Sequence, residues 1–283
     1  MPTVDDRRRA FRELHRRGCF AIPNPWDIGS ARYLQHLGFA AIATTSAGYA
    51  FSRGLPDGAV GRDEMLAHIK ELVDATDLPV NADFENGYAD DPEGVAASVR
   101  LCVDTGVAGL SIEDAADRRA SPLYDLGLAV ERIHAAREAI GGSGVLLVGR
   151  AEGFLVGRED LNQVARRLRA YAEAGAECLY APGFREPEHI RTIVEAVAPK
   201  PVNVLIGGPA GLTGSSGLTM ADAAALGVRR VSVGGALARA AWGGFLRAAK
   251  ELAEHGTFDG FAGAMPHAAL QEFFGHDARH PRA

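Results

Sequence analysis

The sequence predicts an α/β protein folded as a closed (β/α)8 TIM barrel. Three observations predict it. Eight short apolar segments, near residues 20, 40, 80, 109, 146, 178, 202 and 230, read as strands. Helical patterns separate them, and regular strand–helix alternation implies a parallel sheet. No Gly-x-Gly-x-x-Gly follows the first strand, which disfavours an open doubly wound sheet. A length of 283 residues suits one such barrel. The expected division is a barrel over 1–255 and a helical extension and tail over 256–283.

Taken in order, residues 5–17 form an amphipathic helix that uses Phe11 and Leu14. Strand 19–22 is stopped by Pro23-Asn24-Pro25. Trp26-Asp27 leads a helix that ends at Gly38. Strand 39–43 runs into Thr44-Thr45-Ser46-Ala47-Gly48, which reads either as a loop bringing backbone N–H groups to an anion or as an ordinary βα turn. Residues 49–61 are read as loop and 62–75 as helix. Strands at 80–84 and 108–112 flank a helix opened by Asp91-Pro92-Glu93, with proline in the first turn, where its missing N–H costs nothing. Residues 115–127 form a polar loop long enough for a lid. Helices 128–140, 160–174 and 187–198 alternate with strands 145–148, 177–181 and 201–206. A glycine-rich stretch spans 207–217. A short helix (219–226), a strand (228–233) and a long helix (236–255) follow. Residues 257–274 add a last helical piece before a frayed end.

Composition excludes several classes. Hydrophobic residues make up 47% and charged residues 23%, with net charge −6 and pI near 5.9. That balance argues against nucleic acid or an anionic membrane surface as partner. The three cysteines, Cys19, Cys102 and Cys178, are far apart and form no CxxC, so neither a disulfide framework nor a zinc site is expected. The charged N-terminal segment has no apolar core of a secretory signal, and no stretch is apolar enough to span a bilayer. The expected location is the cytoplasm.

The chemistry centres on residues 81–114. Two successive strands end in carboxylate pairs, Asp83 with Glu85 and Glu113 with Asp114. In a parallel barrel the C-terminal strand ends share one rim, so these acids converge there. Clustered carboxylates repel unless a cation or proton neutralises them. Oxygen ligands suit Mg2+, which keeps waters and shares itself with an anionic substrate, and Mn2+ is a possible substitute. The bland alternative is that each acid caps a helix or faces solvent. Residues just after the strands add Asn24, Trp26, Asp27, Thr45, Ser46, Gly48, Asp57, Arg150, Glu152, Tyr180 and Asn203. An acidic pocket with one arginine suits a small carboxylate that carries a second oxygen. Arg150 would bind a carboxylate or face a developing enolate; alternatively it is an internal partner of Glu152 or Glu113.

The ordered motifs Pro-Trp-Asp27-Ile-Gly-Ser-Ala-Arg, Thr45-Ser46, Gly-Leu-Pro-Asp57, Asp83-Phe-Glu85-Asn-Gly-Tyr, Gly-Leu-Ser-Ile-Glu113-Asp114 and Gly-Arg150-Ala-Glu152 carry a resemblance. From about residue 18 to 255 the chain resembles the isocitrate lyase/phosphoenolpyruvate mutase superfamily. The resemblance implies a barrel whose last helix is swapped between subunits of a homodimer or homotetramer, a Mg2+ ion, and 2-oxo acid or enolate chemistry. It makes Asp83 the direct metal ligand and Glu85, Glu113 and Asp57 the acids that hold the metal's waters. It makes Ser46, Ala47 and Gly48 the substrate-carboxylate or phosphonate loop, and Arg150 the substrate-binding arginine.

Departures narrow the reaction. The lyases carry Lys-[Lys/Arg]-Cys-Gly-His on the loop after the Glu113 strand, where this chain has Ala-Ala-Asp-Arg-Arg-Ala-Ser-Pro-Leu-Tyr. The phosphonomutase-like members use an Asn on that loop and a His after the sixth strand, where Ala181 stands. The reading is a Mg2+-dependent lyase breaking a C–C bond of a small 2-oxo or 2-hydroxy di- or tricarboxylate, oxaloacetate-like or methylisocitrate-like, through a metal-stabilised enolate. Arg150 and Glu113 belong to its reacting centre. Tyr124 and Tyr180 are candidate proton carriers, and Trp26, Asp27, Thr45 and Asn203 join the substrate contacts. The alternatives are a phosphorus–carbon mutase or hydrolase and a non-catalytic 2-oxo acid binding protein.

Overall fold

A computed structural model describes residues 2–116, 122–208 and 217–275. All eight expected strands form: β1 (Phe20–Ile22), β2 (Ile42–Ala43), β3 (Val80–Asp83), β4 (Gly109–Glu113), β5 (Leu146–Arg150), β6 (Cys178–Tyr180), β7 (Val202–Leu205) and β8 (Arg230–Ser232). They are parallel throughout and ordered β1-β8-β7-β6-β5-β4-β3-β2. Where β1 meets β2, the Ala43 N–H donates to the Pro23 carbonyl at 3.0 Å. This is the nearly closed parallel barrel that the alternating pattern predicts.

The helices are α1 (Val4–Leu14), α2 (Ile28–His36), α3 (Ser46–Ser52), α4 (Arg62–Ala75), α5 (Pro92–Asp104), α6 (Leu126–Ile140), α7 (Leu161–Glu173), α8 (Pro187–Val197), α9 (Met220–Ala225), α10 (Ala236–His255) and α11 (His267–Gly275). Their starts are written in the sequence. Asp91 caps α5 by accepting the Gly94 N–H, with Pro92 in the first turn. Thr45 likewise caps α3 through the Gly48 N–H at 3.2 Å. The segment read as loop from Tyr49 is therefore helical through Ser52, because a hydroxyl at the N-cap meets the small residues Ser-Ala-Gly. The lid reading of 115–127 and the glycine-rich 207–217 fall partly on 117–121 and 209–216, which lie outside the described residues, as does the tail from 276.

Period-two alternation divides the buried side chains into two layers. Ile42, Ala82, Leu110, Ile112, Leu147, Leu179, Val204 and Val231 pack outward against the helices. Ile22, Ala43, Leu146, Val148, Cys178 and Tyr180 point into the barrel. Phe11 of α1 joins the inner set and stoppers the N-terminal end. Gly109 on β4 has no room for a side chain: a Cβ there would sit 2.6 Å from the Phe11 ring and 2.7 Å from the Asn81 side-chain oxygen. Arginines of α1 tie that end shut. Arg7 donates to the Val73 carbonyl, Arg8 to those of Val103, Val107 and Ser143, and Arg12 to that of Gly144 and to the Glu177 carboxylate.

The chain divides into two compact units, Met1–Ala236 and Leu237–Ala283. The boundary lies at the start of α10, whereas the sequence reading put it at that helix's end. The second unit holds nearly all of α10, a 3-10 turn at Asp259–Phe261, and α11. It carries much exposed apolar surface, including Phe245, Leu246, Phe258, Phe261 and Met265.

Candidate active site

The acids converge at the C-terminal rim of the barrel, with Arg150 among them. Asp83 ends β3, and one of its oxygens accepts the Ser46 N–H and the Ser46 hydroxyl, each at 3.0 Å. Its other oxygen accepts Arg150 Nη1 at 3.2 Å. The same Nη1 lies 3.1 Å from Glu113, and Arg150 Nε donates to Glu152. The guanidinium also sits 5.1 Å from the centre of the Tyr180 ring. The Ser46 hydroxyl is 3.3 Å from Asp57 as well. Arg150 is thus the internal partner of Glu152 and Glu113 that one of the two sequence readings had, and it also lines the pocket.

The electrostatics are those of an anion-crowded, water-poor site. Burial, then the Asp83 charge, pushes Glu85 up to about 7. The same two causes raise Asp57. Burial raises Glu113 well above the carboxylate range, although Arg150 pulls the other way. Burial works against the charge on Arg150, but Glu113, Glu152 and Asp83 outweigh it and hold the guanidinium charged. Burial and nearby acids push Tyr180 up to about 12, so its phenol keeps its proton at neutral pH.

Thr45, Ser46, Ala47, Asp57, Asp83, Arg150, Tyr180 and Asn203 line one cavity of about 180 Å³. Gly48 is buried within α3 rather than on the cavity wall, with its N–H taken by Thr45. Glu113 stands behind Arg150. Glu85 faces away from a direct pairing, accepting the Tyr88 hydroxyl at 3.1 Å. Trp26 and Asp27 lie off the cavity wall, and Asp27 caps α2 through the Ser30 N–H at 2.7 Å. Tyr124 is no open lid residue. It is buried, its hydroxyl donates to Asp90 at 2.6 Å, and Arg132 lies over its ring at 3.9 Å.

Sequence reasoning missed Arg132, and it placed Asp114 and Asn24 at the rim without seeing that they act as supports. Glu85 and Tyr88 both take left-handed backbone (φ 46° and 56°), costly for residues with side chains. Arg132, reaching in from α6, holds that turn by donating to the carbonyls of Asn86, Ala89 and Asp90. Asp114 points out of the barrel and accepts the Glu152 N–H (2.8 Å), the Tyr171 hydroxyl (2.6 Å) and Arg167 (3.0 Å). Asn24 accepts the N–H groups of Val233 and Gly234 and donates to the Thr44 carbonyl, fastening β1, β2 and β8 together. Asn81, Ser111, Arg230 and Ser232 also line the cavity.

A parallel barrel with a carboxylate cluster, an arginine and a hydroxyl-bearing turn at its C-terminal rim defines an enzyme of the lyase and mutase kind. The phosphoenolpyruvate phosphomutase family model matches residues 11–253, and the chain belongs to that family within the isocitrate lyase/phosphoenolpyruvate mutase superfamily. A Burkholderia cenocepacia J2315 protein, provisionally assigned as a lyase/mutase, is 49% identical with a TM-score of 0.92, covering 98% of this chain and 99% of its own. The 2-methylisocitrate lyase of Escherichia coli K12 is 30% identical over 67% of this chain and 66% of its own length. The oxaloacetate decarboxylase of Paraburkholderia xenovorans LB400 is 31% identical over 69% and 67%. No helix among the described residues is long and apolar enough to cross a membrane.

Proposed function

We propose that this protein is a divalent-metal-dependent lyase that breaks a C–C bond of a small 2-oxo or 2-hydroxy di- or tricarboxylate. The observation that carries the reading is Asp83 paired with Arg150 on the wall of a cavity that Asp57 also lines, with Glu113 and Glu152 held on the same arginine. The donor set fits a hard cation: it is all oxygen, and the burial and mutual repulsion that push its carboxylates upward would be relieved by a bound cation. Among the described residues no three His, Cys, Asp or Glu side chains are grouped to ligate an ion by themselves. That suits Mg2+, or Mn2+ in its place, held directly by Asp83, with Asp57, Glu85 and Glu113 acting through waters.

When bound, the metal polarises the 2-oxo group of the substrate. The chain's own residues do the rest. The charge of Arg150, fixed by Glu113 and Glu152, faces the oxygen that turns negative as the C–C bond breaks and its electron pair enters the carbonyl. Ser46 and the α3 turn orient the substrate's own carboxylate. Tyr180, protonated at neutral pH, can deliver the proton that the enolate carbon needs. A phosphorus–carbon mutase is the second reading, favoured by the family model that the chain matches. The exposed apolar side chains of the 237–275 unit support assembly into a homodimer or homotetramer.

The test is calorimetric binding of oxalate, a mimic of the pyruvate enolate, with and without Mg2+, on the native protein and Asp83→Ala. Pyruvate release from oxaloacetate and methylisocitrate is then assayed. The reading expects metal-dependent binding that Asp83→Ala abolishes, and pyruvate released. Binding without pyruvate, but with turnover of a phosphonate, transfers the protein to the second reading. No metal-dependent binding refutes both.

A further inference from the structure

Below the carboxylate rim the barrel interior holds a second arginine that the chemistry above does not use. Arg230 opens β8, is only 3% exposed, and shares the cavity wall with Asp83 and Arg150. Its Nε donates to the Asn203 side-chain oxygen at 2.8 Å and its Nη1 lies 3.3 Å from that of Asn81. Both partners are neutral, and Nη2 has no hydrogen-bond partner among the described residues. No carboxylate pairs with it there either. The groups around it are Cys178, Tyr180, Ser232 and, toward the stoppered end, His15, whose ring is kept neutral by burial and by Arg230 itself. A buried guanidinium without an anion costs several kcal/mol. Arg150, the other arginine on the cavity wall, has Asp83, Glu113 and Glu152 beside it.

We infer that Arg230, with Asn81 and Asn203, is the subsite for a second carboxylate of the substrate, one remote from the 2-oxo or 2-hydroxy acid head. The inference rests on the lyase reading above and sharpens its substrate class. Asn81 lies two residues before Asp83 on β3, so the two levels are about 7 Å apart along the strand. That is the span of a short diacid, and 180 Å³ is room for roughly six waters at about 30 Å³ each. The chemistry follows from the pairing. When a carboxylate leaves as CO2 the C–C bonding pair passes into the carbonyl and the carboxylate loses its negative charge, and a guanidinium bound to it stabilises that charge where it is and so opposes the loss. The carboxylate on Arg230 is therefore one that survives in the product. This favours cleavage between two carboxylate-bearing fragments over loss of CO2.

The experiment compares ligands with the same head. Calorimetry in Mg2+ measures oxalate, 2-oxoglutarate and 2-oxopentanoate on native protein, Arg230→Gln and Arg230→Lys. Native protein should bind 2-oxoglutarate about 10- to 100-fold more tightly than 2-oxopentanoate, the usual worth of a charge-assisted bond. Arg230→Gln should erase that preference while oxalate affinity stays within about threefold, and Arg230→Lys should keep part of it. A native protein without the preference overturns the subsite and needs no variant to fold. A preference that survives in Arg230→Gln, or a parallel loss of oxalate, overturns it too. Failure of native protein to bind oxalate at all is the different result that removes the lyase reading beneath it.

Discussion

Replacing Asp114 with alanine should unfold this enzyme's scaffold before it touches its chemistry. Asp114 is 2% exposed and takes three hydrogen bonds, from the Glu152 N–H, Tyr171 and Arg167. Arg167, itself nearly buried, also donates to the Tyr124 carbonyl at 2.9 Å. Truncation leaves that guanidinium buried without its counter-charge, which costs about 3–5 kcal/mol. For a chain of this size each kcal/mol moves Tm by about 2–4 °C, so Asp114→Ala should melt roughly 6–20 °C lower. The assay is thermal unfolding with a double-mutant cycle that adds Arg167→Met. Removing both charges should recover part of the loss, with a coupling of about 2 kcal/mol. A loss below about 1 kcal/mol, or additive single effects, would refute the reasoning, because Asp114 would then be a rim carboxylate in solvent or in the metal site.

Three further outcomes are open to measurement. Burial holds His68 down to about 4 against the pull of Asp27, so the folded state refuses a proton that the unfolded chain accepts below about 6.5. Its share of stability is complete above that pH and is lost as pH falls toward 4, at about 1.4 kcal/mol per pH unit; His68→Gln should flatten the urea-derived stability profile between pH 6 and 4.5 by that slope, and an unchanged slope refutes it. Gly109→Ala should cost about 1–3 kcal/mol by forcing Phe11 and Asn81 aside, read as a lower denaturation midpoint; a neutral variant would mean that α1 shifts freely. Tyr180→Phe should keep substrate affinity within about threefold yet lower turnover about 100-fold, and undiminished turnover would remove the phenol as proton donor.

The barrel was legible because strand number and helix alternation depend on apolar pattern alone, and all eight strands lie where their patterns put them. The rim acids were legible because strand ends share one side. What could not be read is which of two adjacent acids points where. Glu113 and Asp114 look alike as letters, but side chains alternate across a strand. Counting from Ile112, which packs outward, Glu113 turns inward to Arg150 and Asp114 outward to α7. The same parity puts Asn81, Ser111, Arg230 and Ser232 inside, and applying it along each strand would have found them. Asp27 and Tyr124 misled for another reason. Each follows a motif at the right rim, but a nearer partner, the Ser30 N–H or Asp90, claims the side chain. Arg132 left no local signal, since its targets are carbonyls some 42 to 46 residues away.

The stitched N-terminal end of the barrel has a consequence in time. Arg12 bonds Glu177, 165 residues later in the chain. At about 5–20 residues per second of synthesis, that partner arrives roughly 8 to 33 seconds after α1 is made. Through that interval α1 has its own capping box but no floor to seal, and Phe11 has no barrel to enter. A helix made before any of the eight strands is thus among the last pieces to dock, and the half-made sheet stays open at its base until the sixth strand has been added.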